Sequence, residues 1–154
     1  MPNWCSNSFT VCHEDPEMIR KFARGVNEGN LFETLIPLSS GEWDYNTAVE
    51  EWGTKWDISG GDVSISEDGK SADGWFETAW SPAIAAYEKL EDLGFELTVI
   101  YHEPGMCFAG ESEIVNGELT NCEFEYESED YDRIAEHFGH EEWDELDENT
   151  SVNA

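Results

Sequence analysis

Hydrophobic and polar positions along the first 30 residues predict a strand followed by a helix. Residues 3–12 are rich in aromatic and β-branched side chains, and Phe9 and Val11 fall on the same side of an extended chain. Asp15 then suits the N-cap of a helix, and Pro16 suits its first position. Apolar side chains follow at helical spacing until the polar run at 27–30. They are Met18, Ile19, Phe22, Ala23 and Val26.

The middle of the chain predicts a β-hairpin. Between residues 31 and 54 we expect only a short helical turn at 48–52. Two strands follow, over 55–66 and 74–80, joined by a turn rich in Asp and Gly. Gly60-Gly61 interrupts the first of these strands.

A second helix and a fourth strand complete a known arrangement. Ser81 as N-cap and Pro82 predict the start of the helix, Gly94 predicts its end, and residues 95–101 predict the strand. The order strand, helix, strand, strand, helix, strand is typical of the ferredoxin-like, or split βαβ, fold. Its sheet is antiparallel and both helices lie on one face. The expected core residues are Phe9, Val11, Phe22, Leu90, Leu97 and Val99.

The last part of the chain extends this fold. Strands are expected over 106–115 and 118–126, because Asn116-Gly117 between them is a strong hairpin signal. Apolar spacing predicts a third helix over 128–138. We therefore predict an α+β fold. Residues 1–139 form a single ferredoxin-like domain with a C-terminal β-hairpin and helix, and residues 140–154 form an acidic tail.

The charge of the chain restricts its partners. The 154 residues contain 36 acidic side chains against 7 Lys and Arg, a net charge of -29. This charge opposes direct binding to nucleic acid or to an anionic membrane, and it favours basic partners or cations. Adaptation to high salt is an alternative origin. No apolar run approaches the roughly 18 residues of a membrane span, and the N-terminus lacks a leader pattern, so we expect a cytoplasmic location.

Five short motifs lie in order along the chain. They are MPNWCSN at 1–7, LIPL at 35–38, WGTKWD at 52–57, FETAWSP at 76–82 and YHEPGMCFAGE at 101–111. Together they resemble the YubB-like family, which phages and plasmids carry, over about residues 1–118. The resemblance implies a ferredoxin-like domain and a mobile-element setting, and it implies no chemistry.

A tryptophan-rich segment is the first candidate site. Five of the 7 tryptophans lie between residues 43 and 80: Trp43, Trp52, Trp56, Trp75 and Trp80. They would either line a pocket for a planar ligand or cap the core, with indole N–H groups donating to loop carbonyls. Lys55 lies among them, and on a strand it would stack on an indole and pair with Asp57 or Glu77. The alternative makes Lys55 an anion-binding residue or a base.

Histidines and cysteines supply the other candidates. His102 and Cys107 would form a nucleophilic pair, or else a strand end followed by a Pro-Gly turn. His137 and His140 are three residues apart, but Gly139 is expected to end the helix between them. The 4 cysteines match no zinc spacing and are expected to be reduced and mostly buried; they are Cys5, Cys12, Cys107 and Cys122. We expect no catalytic residue, metal or cofactor, and hence no enzyme.

The acidic side chains concentrate after residue 122. Residues 123–148 contain 13 acids against a single base, Arg133. On a strand, alternate carboxylates would lie on one face roughly 6.7 Å apart, which resembles the regular charge of a nucleic-acid backbone. The partner-binding residues are therefore predicted to be Glu123, Glu125, Glu127, Glu129, Asp130, Asp132 and Glu136. The alternative is a solvated strand edge that resists aggregation.

Two functions follow from these features. The first is a DNA mimic of the anti-restriction or anti-CRISPR type, which occupies the basic nucleic-acid site of a host defence or DNA-handling protein. The second is a small ligand-binding domain or enzyme that uses the tryptophan-rich end around Trp52, Lys55 and Trp56.

Overall fold

The computed structural model describes residues 4–139, which form one six-stranded sheet and five helices. The elements in chain order are β1 (Trp4–Cys12), α1 (Pro16–Glu28), α2 (Leu31–Leu35), α3 (Tyr45–Trp52), β2 (Ser59–Ile65), β3 (Ser71–Ala79), α4 (Ile84–Asp92), β4 (Glu96–Glu103), β5 (Phe108–Val115), β6 (Glu118–Phe124) and α5 (Glu129–His137). None of the helices within 4–139 is long and apolar enough to cross a membrane.

The sheet has the strand order β2-β3-β1-β4-β5-β6, and every neighbouring pair is antiparallel. The first four of these strands, with α1 and α4, have the split βαβ connectivity. The predicted ferredoxin-like α+β fold is therefore confirmed. β5 and β6 extend the sheet beyond β4, and the turn between them places Asn116 and Gly117 at φ 54° and 75°, as a two-residue hairpin requires.

One face of the sheet, here called the covered face, packs against α1 and α4. The six predicted core residues are all buried in one cluster on this side. Alternate residues of β1 and β4 supply the sheet side of the core, because successive side chains of a strand point to opposite faces. Trp52 from α3 joins the same cluster and is 2% exposed.

The helix boundaries were predicted with mixed success. Asp15 accepts a hydrogen bond from the N–H of Glu17 at 3.0 Å, so the predicted N-cap of α1 is confirmed. Ser81 is not the N-cap of α4, which begins only at Ile84. Its hydroxyl donates instead to the carbonyl of Gly53 at 3.1 Å, so it joins two loops.

The segment before β2 differs from the predicted strand. β2 begins only at Ser59, and Asp57 turns inward, where its carboxylate accepts from the N–H groups of Phe32 (3.0 Å), Glu33 (2.9 Å) and Ile58 (2.8 Å). These bonds satisfy the first turn of α2, a helix that the sequence did not predict. Burial raises the pKa of Asp57, while the three hydrogen bonds oppose that rise.

The third predicted helix, α5, packs on the opposite face of the sheet from α1 and α4. Its buried side chains Tyr131, Ile134 and Ala135 form a separate cluster with Ala109 of β5. We call this second side the open face, because α5 covers only part of it. The predicted acidic tail, 140–154, lies outside the described residues, so the predicted division of the chain stays a prediction.

Candidate partner-binding face

The ladder registers show which side chains share the open face. Residues paired directly across antiparallel strands lie on the same side of the sheet. β1 pairs Thr10 with Asp73, Ser8 with Trp75 and Ser6 with Glu77 on β3. In this region the open face therefore presents hydroxyls and carboxylates around Trp75.

The carboxylates of the strands are divided unequally between the two faces. The six strands contain nine Asp and Glu and neither Lys nor Arg. By the pairing registers, seven carboxylates lie on the open face: Asp62, Asp73, Glu77, Glu96, Glu111, Glu113 and Glu118. Only Glu103 and Glu123 lie on the other side. The cations of α1 and α4, which are Arg20, Lys21, Arg24 and Lys89, lie in the helix layer on the covered side.

α5 adds further negative charge to the open face. Ser128 caps the helix by accepting from the N–H of Tyr131 at 3.2 Å. The hydroxyl of Tyr131 then lies 2.8 Å from Nε2 of buried His102, which anchors the helix to β4. The side of α5 that faces away from the sheet carries four exposed acids, Glu129, Asp130, Asp132 and Glu136. Arg133 makes an ion pair with Asp130 at 3.4 Å, so this cation is already matched.

A groove of about 640 Å³ runs between the end of α5 and strands β1 and β3. His137 lies on one wall, with its Nε2 3.2 Å from the hydroxyl of Ser8. Trp75 lies opposite and keeps 43% of its surface exposed. The indole packs beside Gly60, with two ring atoms 3.6–3.7 Å from where a Cβ would be, which is an ordinary contact distance. Asp73 and Glu77 complete the polar lining.

Glu77 is the electrostatically unusual residue of this groove. Burial raises the pKa of its carboxyl group. No other described residue forms an ion pair or a hydrogen bond with that carboxylate. A partly desolvated carboxylate without a counter-charge is unfavourable, and a bound cation would relieve the cost.

The predicted alignment of Glu123, Glu125 and Glu127 on one strand is wrong. β6 ends at Phe124, the chain turns there with Ser128 N–H donating to the Glu125 carbonyl at 3.1 Å, and Glu127 has φ 68°. Glu123 pairs with Gly110 and therefore lies on the covered side, opposite α5. The seven predicted residues do not form one surface, although all of them are exposed. Their role in binding stays a prediction.

The tryptophan-rich segment does not form a single pocket either. Trp52 is buried and donates to the carbonyl of Ile36 at 2.8 Å, and Trp43 donates to the carbonyl of Lys55 at 3.0 Å. These bonds confirm that indole N–H groups satisfy loop carbonyls here. Lys55 Nζ lies 4.4 Å from the centre of the Trp56 ring, as predicted. Its predicted ion pair is absent from 4–139, since the carboxylate of Asp57 is used by α2.

The segment from His102 to Cys107 forms a strand end and a turn. β4 ends at Glu103, whose carboxylate accepts from the N–H groups of Gly105 (2.6 Å) and Met106 (2.7 Å). His102 points to Tyr131 and the Cys107 thiol to the Pro104 carbonyl at 3.5 Å. All four cysteines are free thiols, and only Cys5 is buried, so the expectation of mostly buried cysteines is wrong.

Metal-binding geometry is also missing from the described part of the chain. Residues 4–139 contain no group of three or more His, Cys, Asp or Glu side chains that could hold a metal ion. His137 is the last residue of α5, and Gly139 follows at φ 73°. The predicted partner of His137, His140, lies outside the described residues.

The groove is not evident from the sequence because its residues come from distant segments. Asp73, Trp75 and Glu77 alternate along β3, and Ser6 and Ser8 alternate along β1. That alternation was visible and indicated one polar side for each strand. The pairing of the two strands, and the arrival of His137 from α5, depend on tertiary structure.

A family model described as "Ferredoxin-like domain in Api92-like protein" matches residues 51–152. The match begins within α3, so β1 and α1 precede it although β1 lies in the middle of the same sheet. Comparisons with curated proteins and with solved structures find no match. Because the family model covers more than half of the chain, the protein belongs to the family of ferredoxin-like domains in Api92-like proteins.

Proposed function

We propose that this protein is a non-enzymatic inhibitor from a phage or another mobile element. Its open face occupies the basic nucleic-acid site of a host defence or DNA-handling protein, which is DNA mimicry of the anti-restriction or anti-CRISPR type. The supporting observation is the division of charge: seven of the nine strand carboxylates lie on the open face, and none of the strands contains a cation.

The geometry of a sheet suits this role. Side chains on one face repeat at roughly 6.7 Å along a strand and about 4.8 Å between strands. Backbone hydrogen bonds fix the strand positions that carry these carboxylates, so little backbone order is lost when a partner binds. Glu111 and Glu113 occupy successive positions of the open face on β5. The acids of α5 extend the same negative surface. Regular negative charge is the feature by which proteins recognise a nucleic-acid backbone without reading its sequence.

The mobile-element setting rests on the motifs that resemble the YubB-like family. Phages and plasmids need proteins that block host nucleases and repressors, and an acidic protein that binds their basic sites would serve this purpose. The tryptophan-rich alternative is weaker, because Trp52 lies in the core and Trp43 is held by Lys55. We therefore retain the open face as the functional surface.

Displacement from DNA tests the proposal. Host extract is loaded on immobilised duplex DNA, and the native protein is added at constant salt. We expect it to release a small set of DNA-binding proteins, because it competes for their basic sites. A variant with four open-face carboxylates neutralised should release them at least about tenfold less efficiently, since each lost contact acts on affinity. Its changes are Asp62→Asn, Asp73→Asn, Glu113→Gln and Glu136→Gln.

A matched variant separates a specific face from general acidity. It neutralises four exposed carboxylates of the helix layer on the covered side, which have no partner among the described residues. Its changes are Glu28→Gln, Glu50→Gln, Glu88→Gln and Asp92→Asn. Equal loss of release by the two variants would indicate a diffuse charge effect, such as salt adaptation, and would refute mimicry. No release by the native protein would refute inhibition of DNA-binding proteins altogether.

A further inference from the structure

The groove between β3 and α5 differs from the rest of the open face. It is concave, with a volume of about 640 Å³, and it contains the one exposed tryptophan among the open-face positions of the strands. Asp73 and Glu77 are each two residues from Trp75, so their side chains flank the indole on the same face at roughly 6.7 Å along the strand. An aromatic plane between two carboxylates is a specific arrangement, which general acidity does not require.

This arrangement matches the chemistry of a guanidinium group. Guanidinium is planar, weakly hydrated and permanently charged, so it stacks on an indole and at the same time donates two hydrogen bonds to one carboxylate. A lysine ammonium has the same charge but neither the plane nor the fork of donors. The hydroxyl of Ser6, which pairs with Glu77 across the two strands, also lines the groove and is a further acceptor.

We propose that the groove receives an arginine side chain of the basic partner, with its guanidinium stacked on Trp75 and hydrogen-bonded to Glu77 or Asp73. This proposal rests on the proposed function, and it assigns the contact that anchors the partner. The unmatched, partly desolvated carboxylate of Glu77 supports it, because an arginine supplies the missing counter-charge. Basic nucleic-acid sites are rich in arginine, so a mimic gains selectivity from one pocket that recognises it.

Two peptides of equal charge test the proposal. The full-length protein is titrated with hexa-arginine amide and with hexa-lysine amide at one ionic strength, and heat is measured. We expect about tenfold tighter binding of the arginine peptide, which corresponds to one stacked and hydrogen-bonded guanidinium. Trp75→Leu should remove the preference and leave the affinity for hexa-lysine unchanged. Trp43→Leu, which changes an exposed tryptophan that does not line the groove, should keep it.

Glu77→Gln provides a second test that does not alter the aromatic surface. It replaces the carboxylate by a neutral amide with a single acceptor oxygen, so a guanidinium can no longer donate two hydrogen bonds to it. The preference for arginine should fall while the fold and Trp75 stay in place. Retention of the full preference in both Trp75→Leu and Glu77→Gln would overturn the groove assignment. So would equally tight binding of N-acetyl-arginine amide and of the hexa-arginine peptide, since that result indicates a site for a small guanidinium compound.

The two proposals fail in different ways. If native protein binds both peptides equally, and the fourfold open-face variant binds both more weakly, the acidic face is functional and the arginine groove is wrong. If neither protein prefers arginine and the fourfold variant binds both peptides as tightly as native protein does, the open face is not a binding surface, and both proposals are overturned.

Discussion

The two faces of the sheet are built from neighbouring residues of the same strands and have opposite properties. On β1, Phe9 and Val11 are buried in the core, and the residues between and beside them, Ser8 and Thr10, face the other way. On β4, Leu97 and Val99 are buried, and Thr98 between them is exposed. The covered face holds the fold together, and the open face carries charge and hydroxyls that the fold does not need.

This difference shows how the fold positions the acidic surface. A slip of one residue in the register of a strand would exchange its two faces, and the apolar set would then face water. Burial of the covered face therefore fixes the register, and the register fixes which carboxylates face outward together. The position of the negative surface is therefore set by the packing of the core. Mutations on the covered face should lower the free energy of unfolding more than mutations on the open face do.

The largest effect is expected on the covered face. Leu97→Ala should lower the free energy of unfolding by about 2–5 kcal/mol, because it leaves a cavity in the main cluster. Thr98→Ala, one residue away on the open face, should change it by less than about 0.5 kcal/mol. Urea denaturation of both variants measures this. Similar costs for the two would show that the assignment of faces on β4 is wrong.

A smaller effect is expected where α5 crosses the open face. Tyr131→Phe removes the hydroxyl that contacts His102 at 2.8 Å and leaves the ring in place. The free energy of unfolding should fall by about 1 kcal/mol, the usual worth of one buried hydrogen bond. Hydrogen exchange of the α5 amides should rise, while the amides of α1 stay protected. An unchanged exchange rate in α5 would mean that another contact holds the helix.

Sequence reasoning succeeded where local signals decide the structure. Asp15 before Pro16 and Asn116-Gly117 each specified an N-cap or a turn through short-range hydrogen bonds and positive φ. It failed where a distant partner decides. Asp57 was expected on a strand, but the N–H groups of α2 recruit its carboxylate. Glu127 was expected on β6, but the chain must turn there to bring α5 across the sheet.

The candidate site shows the same limit. Alternation along β3 places Trp75 on one side with Asp73 and Glu77, and strand periodicity is a local property, but the sequence analysis drew no prediction from it. That His137 would form the opposite wall of the groove depends on α5 packing over β1, which no local pattern encodes. The predicted binding residues of the acidic half do not form one surface, and the strand carboxylates of the open face lie outside that half of the chain.

A still smaller effect is expected at the loop that carries Lys55. Lys55→Gln should lower the free energy of unfolding by about 0.5–1 kcal/mol, because only the contact with the Trp56 ring is lost. Lys21→Gln on the exposed side of α1 is the matched control, and it should have almost no effect. Thermal denaturation at constant pH compares the two. A loss above about 3 kcal/mol for Lys55→Gln would support the predicted, partly buried ion pair of Lys55 with a carboxylate.

The smallest expected effect has a size that depends on pH and concerns Glu77 on the open face. Burial raises the pKa of Glu77 in the folded protein, so the folded state holds this proton to higher pH than the unfolded state does. The free energy of unfolding therefore falls as pH rises from the ordinary value for glutamate through the raised value, and the ionised group stays unfavourable above it. Glu77→Gln should be slightly more stable than native protein at pH 7. The difference should disappear below about pH 4, where both states are protonated.

Denaturation at pH 7 and at pH 3.5, with Glu113→Gln as a variant of an exposed carboxylate on the same face, measures this difference. If Glu77→Gln is less stable than native protein at pH 7, the carboxylate already has a favourable partner in the free protein. The cost of burying it would then be offset within the molecule, and Glu77 would not need the counter-charge of a partner's arginine. If Glu77→Gln is more stable and binds hexa-arginine more weakly, then Glu77 lowers the free energy of unfolding of the native protein and at the same time contributes to binding.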